Sequence, residues 1–166
     1  AGNGTYLVLA YQEISDGQYA SLFSYSLNVT LDSEFYPFLY PNQYVKFTED
    51  SQAVGESQKL VQSAGDDLEA IAAIYNYVIG NIQYDFDKAA SVQSGYLPDI
   101  DETLNTKKGI CFDYAALMTA MLRVQRIPTK LVVGYAGELY HAWISVYLDG
   151  VGWIDNIIYF DGKDWV

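Results

Sequence analysis

The chain has 166 residues, 51% of them hydrophobic, a formal net charge of −12, one cysteine and one histidine. That length suits one continuous domain, and that apolar content excludes a disordered chain. The charge argues against nucleic acid and anionic membranes as partners, and the single cysteine excludes an internal disulfide or a Cys-rich zinc site.

With one histidine as well, no metal or other cofactor is expected. No apolar run is long enough to span a bilayer, so this chain is not expected to insert into a membrane. Ala1-Gly2-Asn3-Gly4 reads as a trimmed start. Together with the acidic composition and sixteen tyrosines, it leads to the expectation of an extracytoplasmic setting, secreted or anchored at a cell surface.

Residues 1–50 read as a β-rich N-terminal portion. Thr5–Tyr11 is a strand, Asp16-Gly17 a turn, and Leu22, Phe23, Tyr25, Leu27, Val29 and Leu31 give a largely alternating face. Prolines punctuate residues 36–42, which should be a loop or an edge. The stretch 51–65 holds a helix followed by a connection. Asp66 with Glu69 forms a capping box, and Leu68, Ile71, Ile74, Tyr75 and Val78 recur at helical spacing to about Gly80. Asn81–Asp85 exits as an extended segment. Residues 86–108 lack periodicity, contain Gly95 and Pro98, and read mostly as a long loop. A second helix opens near Cys111, carries Ala115, Met118, Met121 and Leu122 on one face, and ends near Gln125 before Arg126-Ile127-Pro128. Three strands follow at 130–136, 142–148 and 153–160, the last two joined at Asp149-Gly150. The fold class is α+β, with residues 51–166 forming the core.

The lone cysteine and the lone histidine stand 30 positions apart, in Gly109-Ile110-Cys111-Phe112-Asp113-Tyr114 and in His141-Ala142-Trp143. A thiol needs a base to act as a nucleophile at neutral pH, and this chain offers one imidazole. A helix N-terminus stabilises a thiolate, and its unpaired N–H groups can donate to an oxyanion. Gly109 lets the backbone come close to a substrate. A strand packed on that N-terminus can deliver His141. An ion pair with it would populate the thiolate and bring its pKa below the ordinary value of about 8.5.

These segments resemble the transglutaminase-like superfamily of papain-related cysteine enzymes. The matching features are the Gly-x-Cys-x-Asp-Tyr helix start, Leu122-Arg123 before Ile127-Pro128, Val132-Val133-Gly134-Tyr135 as Val-x-Gly-Tyr, His141-Ala142-Trp143 and the upstream Asn81–Asp85. The resemblance covers about residues 66–155. It implies a transglutaminase-like or papain-like core in which a catalytic helix packs on an antiparallel sheet. It also implies that Cys111 is the nucleophile and His141 its base, as in a bacterial domain of this kind. The papain signature around the nucleophile is absent.

The family takes a third residue, an Asp, from the next strand, usually before Pro-Thr. This chain has no Asp-Pro-Thr. Three readings stay open. If the hairpin centres on Asp149-Gly150, His141 faces Ile157 or Ile158, and Asp155 is a diagonal neighbour roughly 7–8 Å away. Alternatively Phe160–Val166 is a further hairpin, and the acid lies beyond Val166. Asn156 is the third candidate. Gln83 and Tyr84 are candidate oxyanion donors. Trp143, on the face of His141, could shield the imidazole or wall the substrate. Asp113 is assigned a capping or structural role, Tyr114 a packing role, and Asp99 and Asp101 are read as solvated loop carboxylates.

The expected function is cysteine-dependent acyl transfer on peptide or glutamine amide bonds through a thioester. Hydrolysis of a protein or peptide substrate is favoured over crosslinking. The rival reading is a catalytically impaired binding or scaffold module for peptides or cell-surface polymers, for which the tyrosines would suit an interaction surface.

Overall fold

The structure is a computed structural model and describes residues 2–136 and 139–158. The chain divides into two compact units, Ala1–Pro37 and Phe38–Val166.

The first unit is a hairpin. β1 (Gly4–Ser15) and β2 (Gln18–Val29) pair antiparallel, longer than the seven-residue strand expected at the start. The reversal falls at Asp16-Gly17, where Gly17 adopts a φ of +71°, a conformation open to residues without a Cβ. Register shifts at Ala10/Tyr11 and Glu13/Ser15 mark irregularities in the ladder. Leu7, Val8, Leu22 and Phe23 are exposed, and none of the unit's described residues is buried.

The second unit carries the core. Residues 38–50, grouped by sequence with the β-rich start, contribute to it: Val45 is fully buried, and Phe38 meets Trp153 edge-on at 5.2 Å. Two helices come next, α1 (Gln52–Leu60) and α2 (Asp67–Asn81). Asp66 caps α2 by accepting from the Glu69 N–H at 2.8 Å. The Glu69 carboxylate reaches back to the Gly65 N–H at 2.7 Å, one residue earlier than a reciprocal capping box requires.

Residues 86–108 are not mostly loop. After the two-residue β3 (Gln83–Tyr84) come α3 (Phe86–Ser91), α4 (Ile100–Thr106) and β4 (Lys108–Gly109). The helices are too short for a 3.6-residue period to show, but each starts on an aspartate. Asp85 accepts from the Lys88 N–H, and Asp99 from those of Asp101 and Glu102. Asp101, read as a solvated loop carboxylate, accepts from the Ala53 N–H at 3.2 Å.

α5 (Cys111–Val124) is the central element, buried from Asp113 to Arg123. Its apolar residues surround the helix rather than lining one stripe, as expected of a helix covered on all sides. It packs against α1, α2 and α4 and against β5 and β6. β5 (Thr129–Ala136), β6 (Leu139–Leu148) and β7 (Gly152–Ile157) form an antiparallel sheet in that order. The exit from α5 is tied by Arg123. Its Nε and Nη2 donate to the Thr129 carbonyl at 3.1 and 2.8 Å, and its Nη1 to the Tyr40 carbonyl at 2.6 Å. Burial lowers its pKa to about 10, so it stays charged at neutral pH.

Candidate active site

β3 and β4 pair in parallel, Gln83 with Lys108 and Tyr84 with Gly109. This short pairing sets Tyr84 beside the start of α5. The Tyr114 hydroxyl, fully buried, donates to the Ile82 carbonyl at 2.5 Å and ties α5 to the same segment. Side chains alternate along a strand, so Gln83 and Tyr84 point to opposite sides. Tyr84 lines the cleft at Cys111, whereas Gln83 is exposed and not among the lining residues.

The start of α5 is organised by Asp113, which is fully buried. Its Oδ2 accepts from the Ile110 N–H at 2.8 Å, satisfying a donor at the helix start. This is the capping role expected of it. The same side chain explains Gly109, though not through a substrate: a Cβ on Gly109 would stand 2.6 Å from the Asp113 Cβ.

Cys111 is half-buried in a cleft of about 870 Å³ that His141 also lines. The backbone N–H groups of Ala142 and Phe112 and the Tyr84 hydroxyl lie within hydrogen-bonding reach of the sulfur. The Ala142 contact brings β6 to Cys111, and His141 is the preceding residue. Burial pushes the Cys111 thiol up, partly offset by the two N–H donors, and burial pulls the His141 imidazole below 6.5. A thiolate alone or an imidazolium alone is therefore disfavoured, in place of the freely populated thiolate expected from sequence.

Trp143 follows on the face of His141. The two rings are nearly parallel, at 19° and 6.3 Å between centroids. Trp143 flanks the imidazole and is not among the residues lining the cleft.

The structure does not bring Asp155 beside His141. β7 pairs Ile154 with Val146 and Ile157 with Ile144, so Asp155 and Asn156 share the single position opposite Ser145. This is a bulge, and Asn156 occupies its left-handed conformation at φ +61°. The Asp155 carboxylate accepts from the Ser145 hydroxyl at 2.5 Å. Ser145 lies four residues along β6 from His141, roughly 13 Å at strand rise. The pairing of β7 is described only to Ile157, opposite Ile144. The proposed hairpin at Phe160–Val166 lies outside the described residues.

The cleft walls come from three places: Gln43 and Tyr44 before α1, Gln93–Leu97 after α3, and Leu131, Val133 and Tyr140 of the sheet. Among the described residues its lining contains no Asp, Glu, Lys or Arg.

The model of the transglutaminase-like superfamily matches residues 56–156. The chain belongs to that superfamily. Kyphoscoliosis peptidase of Mus musculus is 34% identical over an alignment of 103 residues that covers 55% of this chain and 15% of that protein. A protein of Methanocaldococcus jannaschii, UPF0252 protein MJ1282, is 37% identical over 98 residues, 51% of this chain and 28% of its own length. This chain thus spans well under a third of these relatives. Among solved structures, a candidate cysteine protease from Cytophaga hutchinsonii superposes with a TM-score of 0.60 at 21% identity, covering 91% of this chain and 63% of that one. The periplasmic domain of TgpA from Pseudomonas aeruginosa does so at 0.53 and 22%, covering 67% of this chain and 43% of that one. At these identities the likeness is one of fold: a transglutaminase-like α+β core with antiparallel sheet.

Two further residues meet the start of α5 without having been marked in the sequence. Lys88 of α3 places its Nζ 2.9 Å from Asp113 Oδ2 and 2.7 Å from the Tyr96 hydroxyl, and that hydroxyl donates to Asp113 Oδ1. A lone lysine and a tyrosine in an aperiodic stretch carry no signal of such a role. Among the described residues no helix is long and apolar enough to cross a membrane.

Proposed function

We propose that this transglutaminase-like domain is a cysteine-dependent hydrolase of amide bonds in peptide or protein substrates, acting through Cys111 and His141. The observation that carries this reading is the meeting at one cleft of the Cys111 sulfur, the Ala142 and Phe112 N–H groups, the Tyr84 hydroxyl and His141.

Cys111 gives its proton to His141 as the sulfur attacks the amide carbonyl. The carbonyl oxygen takes the electron pair and becomes an oxyanion. The Tyr84 hydroxyl and the Cys111 N–H, which lie within reach of each other, are the donors that receive it. Collapse expels the amine, protonated by His141, and leaves a thioester. His141 then takes a proton from water, the hydroxide displaces the thiolate and releases a carboxylic acid, and His141 returns the proton to the sulfur.

Water is favoured over a lysine amine because the described walls offer no carboxylate for an ammonium. Their tyrosines, aliphatic side chains and neutral amides suit an uncharged peptide segment. An extracytoplasmic location fits this reading, and the fold likeness to a periplasmic domain is compatible with it.

The test is turnover of amide substrates in ¹⁸O-water, with and without a primary amine. Incorporation of ¹⁸O into a new carboxyl, lost in Cys111→Ala, is the expected result. Predominant amine incorporation would assign transamidation instead. A peptide that binds but is never turned over would move the non-catalytic binding module ahead.

A further inference from the structure

Asp113 sits two residues from the nucleophile, fully buried, and its negative charge opposes a thiolate at Cys111. A catalytic cysteine gains nothing from an adjacent carboxylate unless something cancels it. The chain supplies that charge from elsewhere. Lys88 Nζ stands 2.9 Å from Asp113 Oδ2, and the Tyr96 hydroxyl bridges the two. The ammonium also lies over the Tyr96 ring, 4.5 Å from its centroid. These bonds hold the Lys88 amine above its ordinary value although burial pulls against them. They leave Tyr96 protonated, its pKa pushed up to about 12 by burial and by Asp113.

We propose that Lys88, held by Tyr96, is a positioning residue that cancels the Asp113 charge beside Cys111 and clasps the α3 wall of the cleft to the catalytic helix. This rests on Cys111 being the nucleophile. The carboxylate is kept because it caps α5 and fixes Ile110, and the lysine makes that cap compatible with the chemistry. Tyr96 and the preceding Gln93–Gly95 line the cleft, so the same bonds set one substrate wall.

Among the described residues, Tyr84 from β3 and Asp113 from α5 act on the sulfur, and His141 from β6 lines the same cleft. Lys88 and Tyr96 stand behind Asp113, and Tyr44 and Tyr140 stand on the cleft walls. Removing the one ammonium in this set changes the balance in one direction. Lys88→Gln leaves the Ile110 and Tyr96 donors on the carboxylate and removes the charge that offsets it, so the thiol moves further up.

The experiment is the pH dependence of iodoacetamide alkylation of Cys111. Lys88→Gln is expected to move the midpoint up by about one pH unit, an order of magnitude in rate at fixed neutral pH. Lys88→Arg should leave it in place, and adding Asp113→Asn to Lys88→Gln should return it. An unmoved midpoint in Lys88→Gln, or a shift that Asp113→Asn fails to reverse, overturns the proposal. If Lys88→Gln does not fold, the Asp113→Asn single variant decides. An unopposed Lys88 must then move the midpoint down, and no movement overturns the proposal. His141→Ala is run in parallel. Labelling that ignores His141 would defeat the Cys–His reading alone, because the Lys88 effect is read in the position of the midpoint.

Discussion

The two halves of the site are built on different principles. The half that carries Cys111 is fixed by bonds between residues close in sequence or on short, buried segments. Asp113 caps Ile110, Gly109 makes room for Asp113, and Tyr114 ties α5 to Ile82. The half that carries His141 is set by strand register. There one bulge at Asp155 and Asn156 decides what stands opposite what. A helix start tolerates little displacement because many contacts fix the same atoms. A strand tolerates a bulge at its edge, and every assignment beyond the bulge then changes.

The largest effects should come where the halves meet. Cys111→Ala should abolish turnover and covalent labelling while leaving the thermal midpoint nearly unchanged, since the cysteine is half-buried and small. His141→Ala should slow turnover by a factor of about 10² to 10⁴, the usual range for a general base. Its pH profile is more telling. With the imidazole present, activity should fall on the acid side only below pH 6.5, because burial lowers the His141 pKa. Without it, the sulfur must ionise alone against its burial, so labelling should appear only above the ordinary thiol value of about 8.5. Labelling of His141→Ala at neutral pH as fast as the parent would mean that the halves do not cooperate.

Next come substitutions within the helix-borne half. Tyr84→Phe removes a hydroxyl from the sulfur and from the oxyanion position. A loss of roughly 10- to 10²-fold in turnover is expected, smaller than for a fully preorganised backbone donor, with KM little changed. A change confined to KM would make Tyr84 a wall residue only. Gly109→Ala tests the frame. A Cβ 2.6 Å from that of Asp113 must push backbone or side chain aside, which should cost about 1–3 kcal/mol in a denaturant titration. An unchanged midpoint would show that the Asp113 cap is softer than its burial implies.

The same contrast explains what was legible in the sequence. Cys111, its helix, the capping Asp113 and the hairpin at Asp16-Gly17 could be read because their signals are local and lie within a few residues. α3 and α4 were missed because six or seven residues cannot display a helical period, and their only markers were Asp85 and Asp99. Lys88 was invisible for a different reason. Its partner lies 25 positions away, and nothing in a single lysine encodes which carboxylate it will meet. The burial of Val45 was not legible either, because a single valine in Gln43-Tyr44-Val45-Lys46-Phe47 shows no period, yet it is fully buried.

The smallest expected effect falls on Asp155, and it separates the halves most sharply. Its carboxylate is bonded to Ser145, four positions along β6 from His141, on an exposed part of β7. If register governs this half, Asp155→Asn keeps a hydrogen-bonding partner for Ser145. It should then change the alkylation midpoint by less than the measurement error and stability by less than about 0.5 kcal/mol. Ser145→Ala, at the buried end of the same bond, should likewise leave the alkylation midpoint in place. If Asp155→Asn instead slows turnover about a hundredfold or more with the fold retained, the carboxylate must stand at the imidazole during turnover. The bulge would then have to open on substrate binding. The strand-borne half would in that case be a mobile element completed by substrate, and the helix-borne half the fixed frame against which it moves.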